Sequence, residues 1–264
     1  MAGSRLMEGK HGLVMGVAND RSIAWGVAAE LHKAGAELAL SYQGEVFASR
    51  AKPLADSLGA TLARPCDVED RASLDRLFAE LERTFGRLDF VVHAVAYADR
   101  DGLKGRYLDT TPENFRRSLD ISCFSFTEVA RRAEALMSGG GSLLTLSYLG
   151  ARRVVPAYNV MGVAKAALEA SVKYLAADLG PKAIRVNAIS AGPVKTLAGS
   201  AIAGARQIYR ASEVSAPLRR NPGPEEIGRA AVYLSSDLAR AVTGEIHYVD
   251  GGFHAIGMPG VERD

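Results

Sequence analysis

The stretch YNVMGVAK, residues 158–165, places a phenol seven positions ahead of an amine. Seven residues make about two turns of an α-helix, so the side chains of Tyr158 and Lys165 can project from one helix face toward one cavity. A phenol and an amine held in one cavity are groups that proton-transfer and hydrogen-bond catalysis can use. An ordinary amphipathic helix whose lysine reaches solvent explains the same pair. The rest of the chain must decide between these alternatives.

The composition indicates an enzyme-sized globular protein. The chain has 264 residues, of which 48% are hydrophobic and 23% charged, so it can bury one sizeable core, and length alone allows one or two domains. With 32 basic and 30 acidic residues, the net charge of +2 creates no bulk field for nucleic acid or a membrane, and neither is predicted as a partner. Cys66 and Cys123 resemble neither a zinc site nor a disulfide framework, and no metal is predicted.

The N-terminal segment MAGSRLMEGKHG lacks the apolar centre of a signal peptide. No apolar run reaches the roughly 18 residues needed to span a bilayer. Two isolated thiols suit a reducing compartment. The chain is therefore predicted to be a mature cytoplasmic protein.

Short apolar runs alternate with longer segments of helical period along the whole chain, without a long linker or a repeat. The runs predicted as strands are HGLVMG, AELALSY, ATLARPC, LDFVVHAV, GSLLTLS, AIRVNAIS and EIHYVD. Helices are predicted to begin near Ser22, Glu45, Asp70, Pro112, Tyr158 and Pro224. The alternation predicts an α/β fold: a Rossmann-like, doubly wound parallel sheet of about seven strands with helices on both faces, residues 1–264 forming a single domain.

The loop after the first predicted strand, GVANDRSIAWG, has features of a dinucleotide site. Gly16 ends the strand where the backbone must turn tightly, and Ser22 can cap the next helix, whose N-terminal amides suit a pyrophosphate. Gly26 would let that helix lie close on the sheet. The loop is not a G-x-G-x-x-G fingerprint, and a plain strand-to-helix turn explains the same residues. Its place in the first βα unit favours dinucleotide binding.

The second and third strands end where a dinucleotide site usually holds the adenosine. An acidic residue there accepts from the ribose hydroxyls, and an arginine holds a 2′-phosphate. Gln43 occupies this region, Glu45 is close by, and no arginine follows until Arg50. This favours NADH over NADPH, with solvated turn residues as the alternative. Asp67 can accept from the adenine amine, and it can also act as the N-cap of the following helix.

Two motifs together make a recognisable set. Gly16, Ser22 and Ala24 meet the pattern Gly-x5-Ser-x-Ala, and Tyr158 and Lys165 meet Tyr-x6-Lys. On these motifs the chain resembles the short-chain dehydrogenase/reductase superfamily over nearly its full length. Within it, the chain resembles the bacterial NADH-dependent enoyl-acyl-carrier-protein reductases of type II fatty acid synthesis.

The longer Tyr–Lys spacing is the specific part of this resemblance, because most of the superfamily carries Tyr-x3-Lys, and position 161 here is Met. LSYLG supplies the second tyrosine of the narrower family, Tyr148, and NAISAGPVKTLA matches its segment after the sixth strand. The chain departs from the family where HSIG is replaced by HAVA, which brings in Ala94 and Ala96. It also has Ala205 where many relatives carry an aromatic residue.

The resemblance implies reduction of the carbon–carbon double bond of a trans-2-enoyl thioester, with hydride passing from NADH to the β-carbon. Negative charge then builds on the thioester oxygen, and Tyr158 is implied as the hydrogen-bond donor to that oxygen. Lys165 is implied to hydrogen-bond the nicotinamide ribose and to lend its field to the phenol. Tyr148 either contacts the substrate near the thioester, which is favoured, or only walls the pocket.

The resemblance also implies the other contacts. Thr196 and the main chain of Val194 would hold the nicotinamide carboxamide, with a simple turn at GP as the alternative. Residues 195–215 suit a mobile lid over the acyl chain, with a plain surface helix as the alternative. The implied cofactor residues are Gly16, Ser22, Ile23, Gln43, Asp67, Val68, Ala94, Val95, Lys165, Val194 and Thr196. The implied substrate-binding residues are Ala96, Tyr148, Tyr158, Ala198 and Ile202.

The resemblance implies acyl carrier protein as the partner that delivers the enoyl thioester. Lys195, Arg206 and Arg210 are candidates to meet this acidic carrier, although scattered basic residues also describe a solvated surface. The segments 112–137 and 158–180 carry more apolar side chains than one sheet face needs, and similar enzymes use them to form a homotetramer.

Two other functions remain as alternatives. A short-chain dehydrogenase acting on a carbonyl, such as a 3-ketoacyl thioester, is disfavoured by the Tyr-x6-Lys spacing and by Tyr148. A non-enzymatic nucleotide-sensing scaffold would keep the Gly16 loop but would not need both Tyr158 and Lys165.

Overall fold

A computed structural model describes residues 5–99, 101–200 and 204–258 of the chain. Its centre is a parallel sheet in the order β3-β2-β1-β4-β5-β6-β7. The described strands are β1 His11–Met15, β2 Glu37–Tyr42, β3 Leu62–Pro65, β4 Phe90–His93, β5 Gly141–Ser147, β6 Ile184–Ala191 and β7 Ile246–Val249. Each coincides with a predicted run, so the prediction of a seven-stranded parallel sheet is confirmed. The strand order reverses between β1 and β4, the position at which doubly wound sheets form their ligand crevice.

Helices occupy most of the predicted segments. They are α1 Ile23–Lys33, α2 Ala48–Ser57, α3 Arg71–Phe85, α4 Pro112–Leu119, α5 Ser125–Leu136, α6 Asn159–Leu179, α7 Leu197–Ser200, α8 Ala205–Ser215 and α9 Pro224–Ser235. The helix expected near Glu45 starts with a 3₁₀ turn, Glu45–Phe47, before α2. The segment 112–137 is interrupted by a π-helical turn at Asp120–Phe124, a feature that often occurs at functional sites.

Two hydrophobic layers cover the sheet, one on each face. Leu74 of α3, Phe126 of α5 and Leu168 of α6 belong to the first layer. Val27 of α1 and Ile227 of α9 belong to the second. Helices on both faces of a parallel sheet are what a βαβ alternation requires, because each crossover returns over one face. Within the described parts of the chain, no helix is both long and apolar enough to cross a membrane.

The predicted helix caps are partly confirmed. The Ser22 hydroxyl accepts from the Trp25 amide at 3.3 Å and so caps α1. The cap of α3 is Asp70, whose carboxylate accepts from the Ala72 amide at 3.0 Å. The alternative N-cap role considered for Asp67 is therefore wrong. Asp67 lies one turn too early in the chain, and its carboxylate accepts from the Glu69 amide at 2.9 Å.

Gly26 serves close packing between two helices instead of packing of a helix on the sheet. A Cβ atom at Gly26 would lie 2.5 Å from the Cβ of Pro224, the first residue of α9. On the other side of the contact, a Cβ atom at Gly228 would lie 2.5 Å from the Gly26 carbonyl oxygen. The expectation that Gly26 brings α1 near the sheet is thus corrected, because the missing side chain faces α9.

Gly26→Ala should destabilise the protein. The added methyl overpacks the α1–α9 contact, and overpacking of this kind costs roughly 1–3 kcal/mol, more than the helix propensity that alanine adds. The free energy of unfolding in urea measures the loss. Gly180→Ala is the matched control, because Gly180 has φ −55° and no atom within 4 Å of its added Cβ. Equal stability of the two variants would contradict this account of the contact.

Candidate active site

The buried Tyr158 and the half-buried Tyr148 form a pair of rings beyond the carboxyl end of β5. Their ring centroids lie 5.0 Å apart with the planes at 68°, an edge-to-face arrangement that aromatic pairs favour. Tyr148 immediately follows β5, and Tyr158 is the residue before α6. A Cβ atom at Gly150 would lie 2.4 Å from Cδ1 of Tyr158, so only glycine allows the turn after β5 to approach the ring this closely. The structure therefore brings the two predicted tyrosines together.

The backbone on both sides of Tyr158 adopts an unusual conformation. Ala157 has φ 57° and Asn159 has φ 38°, a region that residues with a side chain rarely occupy. The Asn159 side-chain amide donates to the carbonyl oxygen of Gly102 at 3.3 Å, which links the start of α6 to the loop after β4. Strained backbone persists where surrounding contacts hold it, and it concentrates at functional sites.

Lys165 is buried within α6, with only 5% of its surface exposed. Its Nζ donates to the carbonyl oxygen of Leu146, the penultimate residue of β5, at 2.7 Å. Burial lowers the pKa of Lys165 to about 8, while Cys123 and Glu169 act in the opposite direction. An ammonium held near its titration point responds strongly to any neighbouring charge.

Burial changes the titration of both phenols. Burial, with a smaller contribution from Tyr148, raises the pKa of Tyr158 well above its usual range. Burial also raises the pKa of Tyr148 to about 12, with a further contribution from Asp250. Both phenols therefore keep their protons at neutral pH and can donate hydrogen bonds.

An apolar wall surrounds the tyrosine pair. Leu103 and Met161 are buried against Tyr158, and Ala98 and Val155 pack beside them. Such a wall excludes water and suits a hydrocarbon chain. Leu103 and Met161 are not among the residues predicted for the site. Met161 could have been predicted from its spacing, because residues three apart share a helix face and Met161 lies three residues after Tyr158. No feature of the sequence indicates that Leu103 contacts Tyr158.

The loop after β1 provides a cradle for a dinucleotide. Gly16 has φ 90°, and a Cβ atom there would lie 2.2 Å from the carbonyl oxygen of Ala94. Only glycine lets the backbone turn here against the end of β4. The amides of Ile23 and Ala24 lie in the first turn of α1, where helix geometry gives them no intrahelical partner. A pyrophosphate fits such a turn, because the free amides and the positive helix end both attract it.

The residues predicted for adenosine lie at the carboxyl ends of β2 and β3. Gln43 is exposed directly after β2, and Val68 is 5% exposed, two residues after Cys66. A surface cleft next to them is lined by Gly44, Glu45, Arg64, Pro65, Asp67, Ser73, Arg76, Leu77 and Glu80. In this cleft Arg64 is paired with Glu80 at 2.7 Å and Arg76 with Asp70 at 3.0 Å. The arginines are thus already engaged with acidic side chains.

Val95, predicted to contact the adenosine through its main chain, packs on the first hydrophobic layer. The residues predicted around the nicotinamide fall on neighbouring loops, and Ala96 among them is exposed. Beyond β6, the Thr196 amide donates to the Val194 carbonyl at 2.8 Å. The Thr196 hydroxyl accepts from the Gly199 amide at 2.9 Å, so it helps to start α7 and retains its own proton to donate.

In the segment predicted as a lid, residues 195–215, the described parts contain the helices α7 and α8. The ammonium of Lys195, before α7, lies 4.6 Å from the ring centroid of Tyr209 in α8, a cation–π contact that ties the segment together. Ala198 lies in α7, and Ile202 lies outside the described residues. Arg206 and Arg210 are exposed on α8.

Comparison with known proteins identifies similar chains. A family model described as enoyl-(acyl carrier protein) reductase matches residues 16–254. An enoyl-acyl-carrier-protein reductase (NADH) 1 from Rhizobium meliloti (strain 1021) is 58% identical over 259 residues, covering 98% of this chain and 95% of that protein.

Solved structures give the same result. An enoyl-acyl-carrier-protein reductase from Anaplasma phagocytophilum in complex with NAD is 57% identical with a TM-score of 0.95, covering 99% of this chain and 100% of that one. The Bacillus cereus enoyl-acyl carrier protein reductase with NADP⁺ and indole naphthyridinone is 51% identical with a TM-score of 0.94, covering 96% of this chain and 99% of that one. The fold and the order of the site loops are thus those of known reductases.

Proposed function

The chain belongs to the enoyl-(acyl carrier protein) reductase family, and on that premise we propose that it reduces trans-2-enoyl thioesters with NADH in fatty acid synthesis. The observation that carries the proposal is the packing of the half-buried Tyr148 against the buried Tyr158 beside an apolar wall, with Lys165 two helical turns along α6. Its relatives named as NADH enzymes support the choice of cofactor. A carbonyl-reducing dehydrogenase is not favoured.

Tyr158 is proposed as the donor to the thioester oxygen. Bound NADH would supply the hydride that reaches the β-carbon of the substrate. As negative charge builds on the thioester oxygen, a hydrogen bond aimed at that oxygen strengthens, and this lowers the barrier. The raised pKa of Tyr158 supports a donor that keeps its proton. Tyr148, whose ring packs against Tyr158, is proposed to contact the substrate beside it.

The cofactor residues are proposed from the order of the loops along the sheet. Gly16, Ser22 and Ile23 would hold the pyrophosphate at the start of α1. Gln43, Asp67 and Val68 would border the adenosine, and the main chain of Ala94 and Val95 would contact it as well. Lys165 would donate to the nicotinamide ribose, and Val194 and Thr196 would hold the carboxamide. The glycine cradle at Gly16 supports this order.

Acyl carrier protein is proposed to dock at the lid, where Lys195, Arg206 and Arg210 are exposed. Ala96, Ala198 and Ile202 are proposed to border the acyl chain. A homotetramer is also proposed, supported by the exposed apolar side chains of Phe124 beside α5 and Tyr174 on α6, which are 48% and 77% exposed. The proposed compartment is the cytoplasm, and residues 1–264 are proposed to form one domain.

Oxidation of NADH and NADPH by the purified protein tests the proposed reaction. We expect turnover of a trans-2-enoyl thioester with NADH and no turnover of an acetoacetyl thioester. Turnover of the ketone alone would make the protein a ketoreductase. NADH binding without turnover of either substrate would support the scaffold function instead.

Tyr158→Phe should lower kcat by roughly 10²–10³-fold, the range seen when one donor to a developing oxyanion is removed. The dissociation constant of NADH should change little, because the phenol is not proposed to contact the cofactor. Steady-state kinetics and NADH fluorescence measure the two quantities. Tyr233→Phe is the control, since this exposed residue of α9 lies on the other side of the sheet from α6 and the tyrosine pair. An unchanged kcat in Tyr158→Phe would refute the donor role.

Reversing the charges of α8 tests the carrier surface. Arg206→Glu together with Arg210→Glu should raise KM for the enoyl group on acyl carrier protein by roughly three- to tenfold, as expected for exposed charge pairs. KM for the same enoyl group on a small thiol should stay constant. Arg240→Glu, between α9 and β7, is the control reversal. The wild-type carrier KM should rise with salt, and equal effects on both substrates would argue against docking at α8.

A further inference from the structure

Glu169 is a buried carboxylate that the site described above does not use. It lies in α6 four residues after Lys165, and 3% of its surface is exposed. Its Oε1 accepts from the Ser147 hydroxyl at 2.7 Å, and its Oε2 accepts from Arg152 Nε at 2.5 Å. Both oxygens are therefore bonded to the end of β5 and the turn that follows.

Lys165 and Glu169 hold the same end of β5. Residues four apart share one face of a helix, and here that face meets two successive residues of the strand. Lys165 donates to the Leu146 carbonyl, and Glu169 accepts from Ser147. Tyr148 is the next residue in the chain. The position of Tyr148 thus depends on two side chains of the helix that starts after Tyr158.

The groups around Lys165 come from several elements. His93 of β4 is neutral, because burial and Lys165 lower its pKa to about 3. Burial raises the pKa of the Cys123 thiol in the π-helical turn. The two phenols of the site keep their protons for the same reason. Among these described neighbours, Glu169 is the carboxylate that opposes the effect of burial on Lys165.

Charged and titratable side chains from several elements also lie around Glu169. Arg152 is its cationic partner, and the Arg152 side chain is 48% exposed, so the pair extends from the buried site to solvent. Burial raises the pKa of Tyr248 of β7, Glu169 adds to this increase, and Arg152 opposes it. Asp250, at the end of β7, acts on Tyr148.

A carboxylate in this position is costly for folding. Taking a charge out of water costs several kcal/mol, and well-packed apolar residues often replace a buried ion pair without loss of stability. Packing alone therefore does not explain Glu169. An electrostatic and positioning role does explain it, because the Glu169 carboxylate lies one helical turn from a buried ammonium and is hydrogen-bonded to the strand end that precedes Tyr148.

We propose that Glu169 is a positioning residue whose charge keeps Lys165 an ammonium and whose two hydrogen bonds hold the turn carrying Tyr148. This inference rests on the proposed function, because it assigns Glu169 a role in that same site. Glu169 acts through Lys165 and Ser147 and does not contact the reacting atoms.

Glu169→Gln keeps the shape and removes the charge. In the wild-type enzyme, activity should fall as pH rises through the pKa of Lys165, which is about 8, because the ammonium loses its proton there. In Glu169→Gln this alkaline limb should move to lower pH by about one unit, the scale of shift that one nearby charge produces. NADH binding, followed by fluorescence over the same pH range, should weaken earlier in the variant as well.

Ser147→Ala is the matched control, because it removes one hydrogen bond to Glu169 but keeps the charge. Its alkaline limb should coincide with that of the wild type. An unmoved limb in Glu169→Gln, or an equal shift in Ser147→Ala, would overturn the proposal. If Glu169→Gln does not fold, Arg152→Gln decides, because loss of this half-exposed cation leaves the Glu169 charge less neutralised. Its limb should move to higher pH, and a limb that stays would also refute the role.

The two proposals can fail separately. Absence of enoyl turnover in the wild type would overturn the proposed function, while the pH dependence of NADH binding would still decide whether the charge of Glu169 acts on Lys165. Turnover in the wild type with identical pH profiles in all variants would remove the role of Glu169 alone.

Discussion

The site depends on the attachment of α6 to the carboxyl end of β5. The hydrogen bond from Lys165 to the Leu146 carbonyl joins a buried ammonium to the penultimate residue of the strand. The two tyrosines proposed for the chemistry lie on the two elements that this bond joins: Tyr148 follows the strand, and Tyr158 precedes the helix. A shift of α6 along β5 would therefore move Tyr158 and the ammonium relative to Tyr148.

Stability is given up at this anchor and recovered elsewhere. Two residues with positive φ flank Tyr158, and a lysine and a glutamate are buried in α6. Each feature costs free energy that a helix of apolar residues would not lose. The compensation comes from two extensive hydrophobic layers and from close helix contacts such as Gly26 against Pro224. Because the hydrophobic layers and helix contacts stabilise the sheet and its helices, they can hold the strained backbone around Tyr158 in place.

Two departures from the family pattern, Ala94 and Ala96, leave the packing of the loops around Gly16 unchanged. Ala94 approaches Gly16 through its carbonyl oxygen, so the loss of a serine hydroxyl leaves the close approach of the two loops intact. Ala96 is exposed, so its methyl does not contribute to the packing of the core. Asp67 also has a local structural role. Its carboxylate accepts from the Glu69 amide in the turn after β3, whereas Asp70 caps the helix that follows.

The sequence by itself determined the parallel sheet, because seven apolar runs and their helices leave few other arrangements, and it determined the Tyr158–Lys165 pair, because their spacing is local. Tertiary structure decided what those groups meet. Gly26 faces α9 instead of the sheet, Lys165 donates to the Leu146 carbonyl, and Leu103 reaches Tyr158 from 55 residues away. Glu169 appeared as one more polar residue of a long helix until its partners after β5 were known. Periodicity reports which face of an element is apolar, whereas contacts between distant segments depend on how the faces meet, and that information is not local in the chain.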